Sequence, residues 1–555
     1  MRLGHFSLTT ALRGAPAVHG PIPVRTGTSP PAGRPKFERV RRALGDHPTI
    51  SLAIALALVA ALVLRFWTTS DLWLDEALTV NISRLPLGQI PGALRHDGAP
   101  PLYYFLLHFW MDVFGQSDLA VRSLSGIFGV MSLPLVWLCG RRLGGRGVAW
   151  AATLILAASP FAVRYATETR MYSMVIVLTL LGFLALESAW RRPTVFNLVK
   201  VAVVGGLLLL THYWSLYLVA AVFLLLAWHA IRDTDLERRR RSRRLLVAVA
   251  ASGIFFLPWL STFLFQAKHT GTPWSQPAQF SAMVNAVSEF AGGGNSPGRA
   301  LGLLFFALVG LGLFGAAIDR HKVELDLRTR PRARVLGFVT VATLVLAIVA
   351  GYITSSAYSP RYTSVIFAPF VLLVALGTAV FTDRRIRHAI VAACVVFGLA
   401  GSVANVTTNR TQAGQITRAI MATGHAGDIV AYCPDQLGPD ASRLLGTKFQ
   451  QVAFPRSNAP QIVNWVDYER VVKAASPVSF ARSLVARAGA THAIYLVWAP
   501  GYHSYSGECA AITTVLDRLL PPPATPVTLN GAKFYEPSNL WVYRPRAPTG
   551  SLALG

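Results

Sequence analysis

The dominant pattern along this chain is a series of long apolar runs separated by short polar blocks. A helix needs about 20 apolar residues to cross the hydrocarbon core of a bilayer. Runs of that order cover 50–66, 119–139, 148–163, 171–190, 196–210, 214–231, 245–265, 301–318, 335–353, 364–381 and 390–405. They predict about eleven membrane-spanning helices. The run 102–114 is too short to span and is expected to lie at the interface or to re-enter.

From about residue 407 the pattern changes. Segments 428–433 and 491–497 read as short buried strands, and 479–488 and 510–520 as amphipathic helices. Strands alternating with helices predict a small α/β domain with a partly parallel sheet. No Gly-x-Gly-x-x-Gly follows a strand, so nothing points to a dinucleotide site. The first 45 residues are rich in Pro, Gly and Arg and hold no apolar core of signal-peptide type. The expected organisation is a disordered cytoplasmic tail over 1–47, an α-helical polytopic membrane domain over 48–405, and a C-terminal α/β domain over 406–555.

Composition sharpens this picture. Of 555 residues, 53% are hydrophobic and 14% charged, where a soluble domain carries about a quarter charged residues. The net charge of +26 would suit a nucleic-acid partner, but its distribution does not. The basic residues form short blocks between apolar runs: Arg141-Arg142, Arg191-Arg192, Arg238 to Arg241 with Arg243-Arg244, Arg328 to Arg334, and Arg384-Arg385. That is the signature of cytoplasmic connections, so no nucleic acid is expected. With the tail in the cytoplasm every alternate connection agrees. Asp75, Glu76, His96, Asp97, Glu168, Arg170, His212, Tyr213 and Arg361 then fall on the outer side, as does the C-terminal domain. The cysteines Cys139, Cys394, Cys433 and Cys509 have no metal-ligand spacing. Cys433 and Cys509 share the external domain, where a disulfide is permitted. Pairing and two separate thiols both remain open.

The residues that could carry chemistry gather in the outer connections. Asp75 and Glu76 lie just past the first apolar run, where adjacent carboxylates need either work or partners. His96-Asp97-Gly98-Ala99-Pro100-Pro101-Leu102-Tyr103-Tyr104 follows, with proline suited to a first helical turn, so that Asp97 precedes a helix at the membrane surface. A carboxylate here could take the proton of an attacking hydroxyl. Asp75 with Asp97 could instead hold a divalent cation over a leaving phosphate. The bland alternative is a solvated loop whose acids pair with Arg84 or Arg95. In 164–172, a continuous helix would put Arg164, Glu168 and Tyr172 on one face, and Arg164 or Arg170 could meet a lipid-linked phosphate. His212 and Tyr213 sit in an outer turn where aromatics commonly form a membrane belt. Arg361 and Tyr362 open an outer-side helix. A guanidinium there needs an anionic partner and binds phosphate bidentately, unless it only snorkels to headgroups.

Together these motifs resemble the GT-C membrane glycosyltransferases, and within them the bacterial relatives of the dolichyl-phosphate-mannose protein mannosyltransferases and the lipid A aminoarabinose transferase. The shared features are Trp73-Leu74-Asp75-Glu76, His96-Asp97 with Pro100 to Tyr104, Glu168 to Tyr172, Thr211-His212-Tyr213 and Pro360-Arg361-Tyr362, in that order. The resemblance covers about 49–405. It implies Asp75 as catalytic carboxylate supported by Glu76 and Asp97, with Arg170 and Arg361 on the donor phosphate. His96, Glu168, Tyr172, His212, Tyr213 and Tyr362 would contact substrate. It also implies a polyprenyl-phosphate sugar donor, inversion at the anomeric carbon, and an envelope glycan or lipoglycan acceptor at the plasma membrane. The arginine-rich composition and long tail look like actinobacterial members, which puts mannose first and arabinose second. A lipid-linked glycan flippase is the reading from a different class. It would place polar residues near the bilayer midplane, whereas here they gather at the outer surface.

Overall fold

Helices form where the apolar runs predict them. The computed structural model describes residues 48–270, 281–294, 296–320, 322–354 and 358–545, and the expected tail over 1–47 lies outside these. The first helix is α1 (Pro48–Leu64). The long connection after it holds α2 (Leu74–Ser83), α3 (Ile90–Asp97) and α4 (Leu102–Phe114). Next come α5 (Asp118–Ala158), α6 (Pro160–Ala166), α7 (Tyr172–Arg191), α8 (Val195–Leu209), α9 (Ser215–Arg232) and α10 (Leu236–His269). The membrane part ends with α11 (Ala282–Phe290), α12 (Ser296–Phe314), α13 (Pro331–Thr354), α14 (Ser364–Thr378) and α15 (Arg384–Thr407). A small hairpin of β1 (Gly315–Ala317) and β2 (Val323–Leu325) follows α12.

Among the described residues, eight helices are long and apolar enough to cross a membrane, with Ser51–Leu64 and Val195–Leu209 as shorter apolar helices. The chain is a multi-pass membrane protein. The count of eight takes α5 whole, yet Gly145 (φ 82°) breaks it. A Cβ on Gly140 would stand 2.9 Å from the Cα of Ala149. The chain therefore doubles back, and α5 supplies two antiparallel arms where two runs were expected. The second arm stops at Ser159-Pro160. The Ser159 hydroxyl accepts from the Ala162 amide, and Pro160 occupies the first turn of α6.

The arginine-bearing turns collect at one end of the bundle. Glu187 pairs with both Arg142 and Arg191, and Arg320 lies 3.2 Å from Asp383. Because α7 runs from the Arg170 side to Arg191, and α14 from the Arg361 side towards Arg384, Arg170 and Arg361 share the opposite end. Every residue of α14 is buried, so it forms the axis of the bundle. It packs on α12 through glycines, since a Cβ on Gly377 would collide with the Leu308 carbonyl.

The C-terminal part is built from α16 (Ala413–Thr423), β3 (Ile429–Cys433), α17 (Gly438–Leu445), β4 (Gln450–Ala453), α18 (Tyr468–Ala474), α19 (Pro477–Ala488), β5 (Ile494–Trp498), α20 (Glu508–Leu519), β6 (Ala524–Val527) and β7 (Asn539–Tyr543). The sheet order is β4-β3-β5-β7-β6, with β4, β3 and β5 parallel and β7 and β6 antiparallel. The two strands expected from sequence are β3 and β5, paired side by side. Alternation explains the layers. Val430 and Tyr432 pack with α16 and α17, while Ile429, Ala431 and Cys433 pack with α19 and α20. Cys433 and Cys509 are joined as a disulfide, which resolves the open pairing.

The close α12–α14 contact yields a prediction. Gly377→Ala should destabilise the purified protein by about 1–3 kcal/mol, the usual range for overpacking. A lower thermal unfolding midpoint in detergent is the expected readout. Gly253→Ala, at a helical glycine with open space around it, should leave the midpoint unchanged or slightly raised.

Candidate active site

Adjacent residues on a helix diverge by about 100°, so Asp75 and Glu76 at the start of α2 take different surroundings. Asp75 Oδ2 lies 3.0 Å from Arg361 Nη1 and 3.9 Å from Arg170 Nη2. The three side chains are 16%, 13% and 11% exposed, reachable but largely desolvated. Arg361 comes from a 3-10 turn at Pro360–Thr363 and lies over the Trp73 ring, 5.4 Å from its centroid. Arg170 donates to Thr79 Oγ1 at 2.9 Å and to the Tyr104 hydroxyl at 3.3 Å. Tyr104 in turn donates to Asp97 Oδ2 at 2.9 Å. Asp97 is the last residue of α3, which ends on left-handed Gly98 (φ 91°). The following prolines start α4, the placement expected from sequence. Burial pushes the Asp97 carboxyl up, and Arg170 opposes that. Asp75, Asp97, Arg170, Arg361 and Tyr104 thus form one continuous cluster.

Glu76 turns inward, away from this cluster. Its carboxylate accepts from Arg122 Nε at 2.8 Å, Arg122 Nη2 at 2.7 Å and the Thr169 amide at 2.9 Å. Arg410 Nη1 stands 3.5 Å away. Burial would raise this carboxyl, but Arg122 and Arg410 hold it below the usual range. Glu168 joins the same buried network, 3.2 Å from Arg164 and 3.6 Å from Arg410. The expected shared face of Arg164, Glu168 and Tyr172 is only half realised. Helix α6 ends at Ala166, and Tyr172 begins a separate helix beyond a turn.

Tyr172, His212 and Tyr362 form an aromatic wall beside the arginines. The His212 ring lies 5.7 Å from Tyr172 and 5.3 Å from Tyr362, centroid to centroid. Burial, then Arg170 and Arg361, push the imidazole down to about 3, so it is neutral. Its Nδ1 accepts from the Trp214 amide at 3.1 Å, which leaves the proton on Nε2 as a donor. The buried Tyr172 hydroxyl makes no hydrogen bond among the described residues. Tyr213 points elsewhere. Its hydroxyl donates to Gln266 Oε1 and accepts from Trp259 Nε1 at 2.9 Å, so it braces α10 against the turn. His96 is exposed and its side chain is not part of the cluster, although its carbonyl accepts from the Trp465 amide at 3.0 Å.

A divalent cation does not fit these residues. Guanidinium groups already flank Asp75, and Asp97 takes a hydroxyl donor from Tyr104. Among the described residues no three His, Cys, Asp or Glu side chains converge as a ligand set. Three participants escaped the sequence reading: Arg122, Arg410 and Glu536. Arg122 falls inside an apolar run, where its nearest acid is Asp118 one turn earlier rather than the distant Glu76 it pairs with, and Arg410 lies just past an apolar run with no acid close by in sequence. Glu536 accepts from the Leu74 amide at 3.0 Å across nearly the whole chain, and no local pattern encodes such a contact.

Comparison with known proteins follows the same lines. Residues 98–261 match the family model of dolichyl-phosphate-mannose-protein mannosyltransferase. The structure aligns with ArnT from Cupriavidus metallidurans bound to undecaprenyl phosphate at 13% identity and TM-score 0.55, covering 89% of this chain and 98% of that one. The apo state of ArnT aligns at 12% identity and TM-score 0.55, over 90% and 98% of the two chains. The fold is that of the GT-C membrane glycosyltransferases. The Archaeoglobus fulgidus oligosaccharyltransferase aligns at 13% identity and TM-score 0.46, over 90% of this chain and 74% of that one. No curated protein sequence matches the chain.

The division between the two acids is testable by stability. Removing one partner of a buried ion pair costs about 3–5 kcal/mol. Glu76→Gln should therefore lower the thermal midpoint of the purified protein sharply. Asp75→Asn should lower the midpoint less, because the side chains of Asp75, Arg361 and Arg170 keep partial exposure where that of Glu76 has none. Equal midpoints for the two variants would contradict the assignment.

Proposed function

We propose that this GT-C protein is an inverting glycosyltransferase that moves a sugar from a polyprenyl-phosphate donor to an envelope glycan or lipoglycan. Mannose is the first choice of sugar and arabinose the second. The observation that carries the reading is Asp75 held by Arg361 and Arg170 at the bundle end opposite the arginine-bearing turns. The positive-inside rule makes that end extracytoplasmic, together with the C-terminal domain. No nucleotide sugar is supplied there, so a lipid-borne donor is required. ArnT, of the same fold, holds undecaprenyl phosphate, and the matching family model names dolichyl-phosphate-mannose.

The chemistry follows from the geometry. The donor's phosphate would lie against the Arg361 and Arg170 guanidinium groups, which match it as charged bidentate donors. As the arginines engage phosphate, the Asp75 carboxylate is left free to accept a hydrogen bond from an incoming hydroxyl. An acceptor hydroxyl approaches the anomeric carbon from the face opposite the phosphate. Its oxygen bonds to that carbon, its proton passes to Asp75, and the carbon–oxygen bond to phosphate breaks with the electron pair leaving on phosphate. The two arginines stabilise the charge that develops there. The neutral His212 Nε2–H and the Tyr172 hydroxyl remain as donors to sugar or phosphate oxygens. A flippase reading is disfavoured, because the charged cluster sits at a helix end rather than at the bilayer midplane.

A sugar-independent assay tests this: the initial rate at which an induced gene copy restores the lost envelope glycan in a deletion strain, normalised to protein level. Asp75→Asn should slow restoration by about 10²–10⁴-fold, the usual contribution of a general base. Arg361→Ala should weaken undecaprenyl phosphate binding to the purified protein by about 1.5–3 kcal/mol, with Arg361→Lys intermediate. Undiminished restoration by Asp75→Asn would remove the catalytic assignment.

A further inference from the structure

The carboxylate of Glu536 belongs to the C-terminal part of the chain, yet it closes the N-terminus of α2, the helix whose second residue is Asp75. Glu536 Oε2 accepts from the Leu74 amide at 3.0 Å. Trp73, the residue before α2, offers no side-chain cap. The first amides of a helix need partners when buried, and Leu74 and Glu536 are both buried. The backbone of Glu536 is itself pinned. Its amide donates to the Arg410 carbonyl at 2.8 Å, and its carbonyl accepts from the Gln412 amide at 3.2 Å. Thr411 between them donates to Asp440 at 2.8 Å. Arg410 reaches in the other direction, to Glu76 and to the Thr167 carbonyl at 3.0 Å. Both ends of the Leu74–Glu76 turn are therefore held by residues beyond the last membrane helix. Next to Glu536, the Tyr535 ring meets Trp73 edge-on at 5.4 Å, and Trp73 carries the Arg361 guanidinium on its ring.

We propose that Glu536 is a positioning residue for the reaction: by capping α2 it sets Asp75 against Arg361, so that the C-terminal domain is an integral part of the active site. The proposal rests on the glycosyltransferase reading above. It gives the domain a task in the transfer step itself, apart from any part in acceptor binding. The contact needs only an acceptor oxygen on residue 536. Burial and the neighbouring Asp440 push the Glu536 carboxyl well above its usual range, and glutamine keeps both the oxygen and the shape. Leu74→Pro deletes the same hydrogen bond from the other side. Proline is suited to the first helical position, and Trp73 already has the extended backbone (φ −87°, ψ 173°) that a following proline demands.

The experiment measures the rate of glycan restoration in the deletion strain, and undecaprenyl phosphate affinity on the purified full-length variants. Glu536→Ala should lower the rate at least tenfold while phosphate affinity stays within threefold of wild type. Glu536→Gln should stay within threefold of wild type in both. Leu74→Pro should resemble Glu536→Ala, and the double variant should be no slower than the slower single one, as expected for one shared interaction. A merely structural role would be marked by equal losses in the Ala and Gln variants or by multiplying losses in the double variant, and either result overturns the proposal. So does a wild-type rate in Glu536→Ala. Should that variant fail to fold, Leu74→Pro against Glu536→Gln decides, and a wild-type rate in Leu74→Pro is the overturning result. If Asp75→Asn restores glycan normally, the glycosyltransferase assignment of Asp75 fails first. If it does not, yet Glu536→Ala is normal, only the positioning role fails.

Discussion

A carboxylate at the end of an apolar helix bundle persists only with cations or donors around it, and this constraint organises the site. Two acids are adjacent in sequence, and the helical turn between them sends them apart. Glu76 goes inward, where Arg122 and Arg410 neutralise it and the Thr169 amide completes its acceptor set. Asp75 goes to the rim, where Arg361 and Arg170 face it with some water access. Breaking the inner pair leaves charges stranded in a low dielectric. Exchanging partners at the rim costs less, because the arginines can be met by a substrate anion and the acid by water or a donor hydroxyl. The inner acid therefore builds the loop, and the outer one is left able to react.

The same constraint explains how much of the molecule was legible in the sequence. Spanning helices announce themselves, because lipid demands an unbroken apolar run and tolerates charge only at the ends. Every expected run holds a helix in the structure, although the end of 301–318 leaves its helix to form β1, and even the reversal at Gly145 falls between two runs separated on paper. In the C-terminal domain β3 and β5 were readable as short apolar bursts, and β4 and β6, four residues each and mixed in character, were not; β7 is as long as β3 and nearly as apolar but was not singled out. The candidate site was readable only in part. Acids and arginines in outer connections are conspicuous, so Asp75, Asp97, Arg170 and Arg361 could be named. Their division of labour could not be, because Glu76 looks identical to Asp75 until Arg122 and Arg410 are placed beside it. Tyr213 is a different case. An aromatic at the membrane edge near a site suggests contact with substrate, but its hydroxyl is consumed by Gln266 and Trp259.

The C-terminal domain adds a further layer. Read along the chain, it looks like an appendage after the last membrane helix, with a boundary near residue 405. Its contacts tell a different story. Asn81 donates to the Gln461 carbonyl at 2.8 Å, Arg443 pairs with Asp118 at 3.0 Å, and Trp73 packs with Val463, Trp465 and Tyr468. These contacts surround the helix that bears Asp75 rather than the lipid-facing sides of the bundle. A short helix of ten residues is marginal by itself, because nucleation is costly and few hydrogen bonds repay it. Packing on both flanks is what keeps α2 formed at the edge of the membrane. Asp75 and Arg361 both belong to the membrane part, but the helix that carries the acid is also held from the C-terminal domain through Glu536 and the Leu74 amide, so the placement of the acid depends on both folded units.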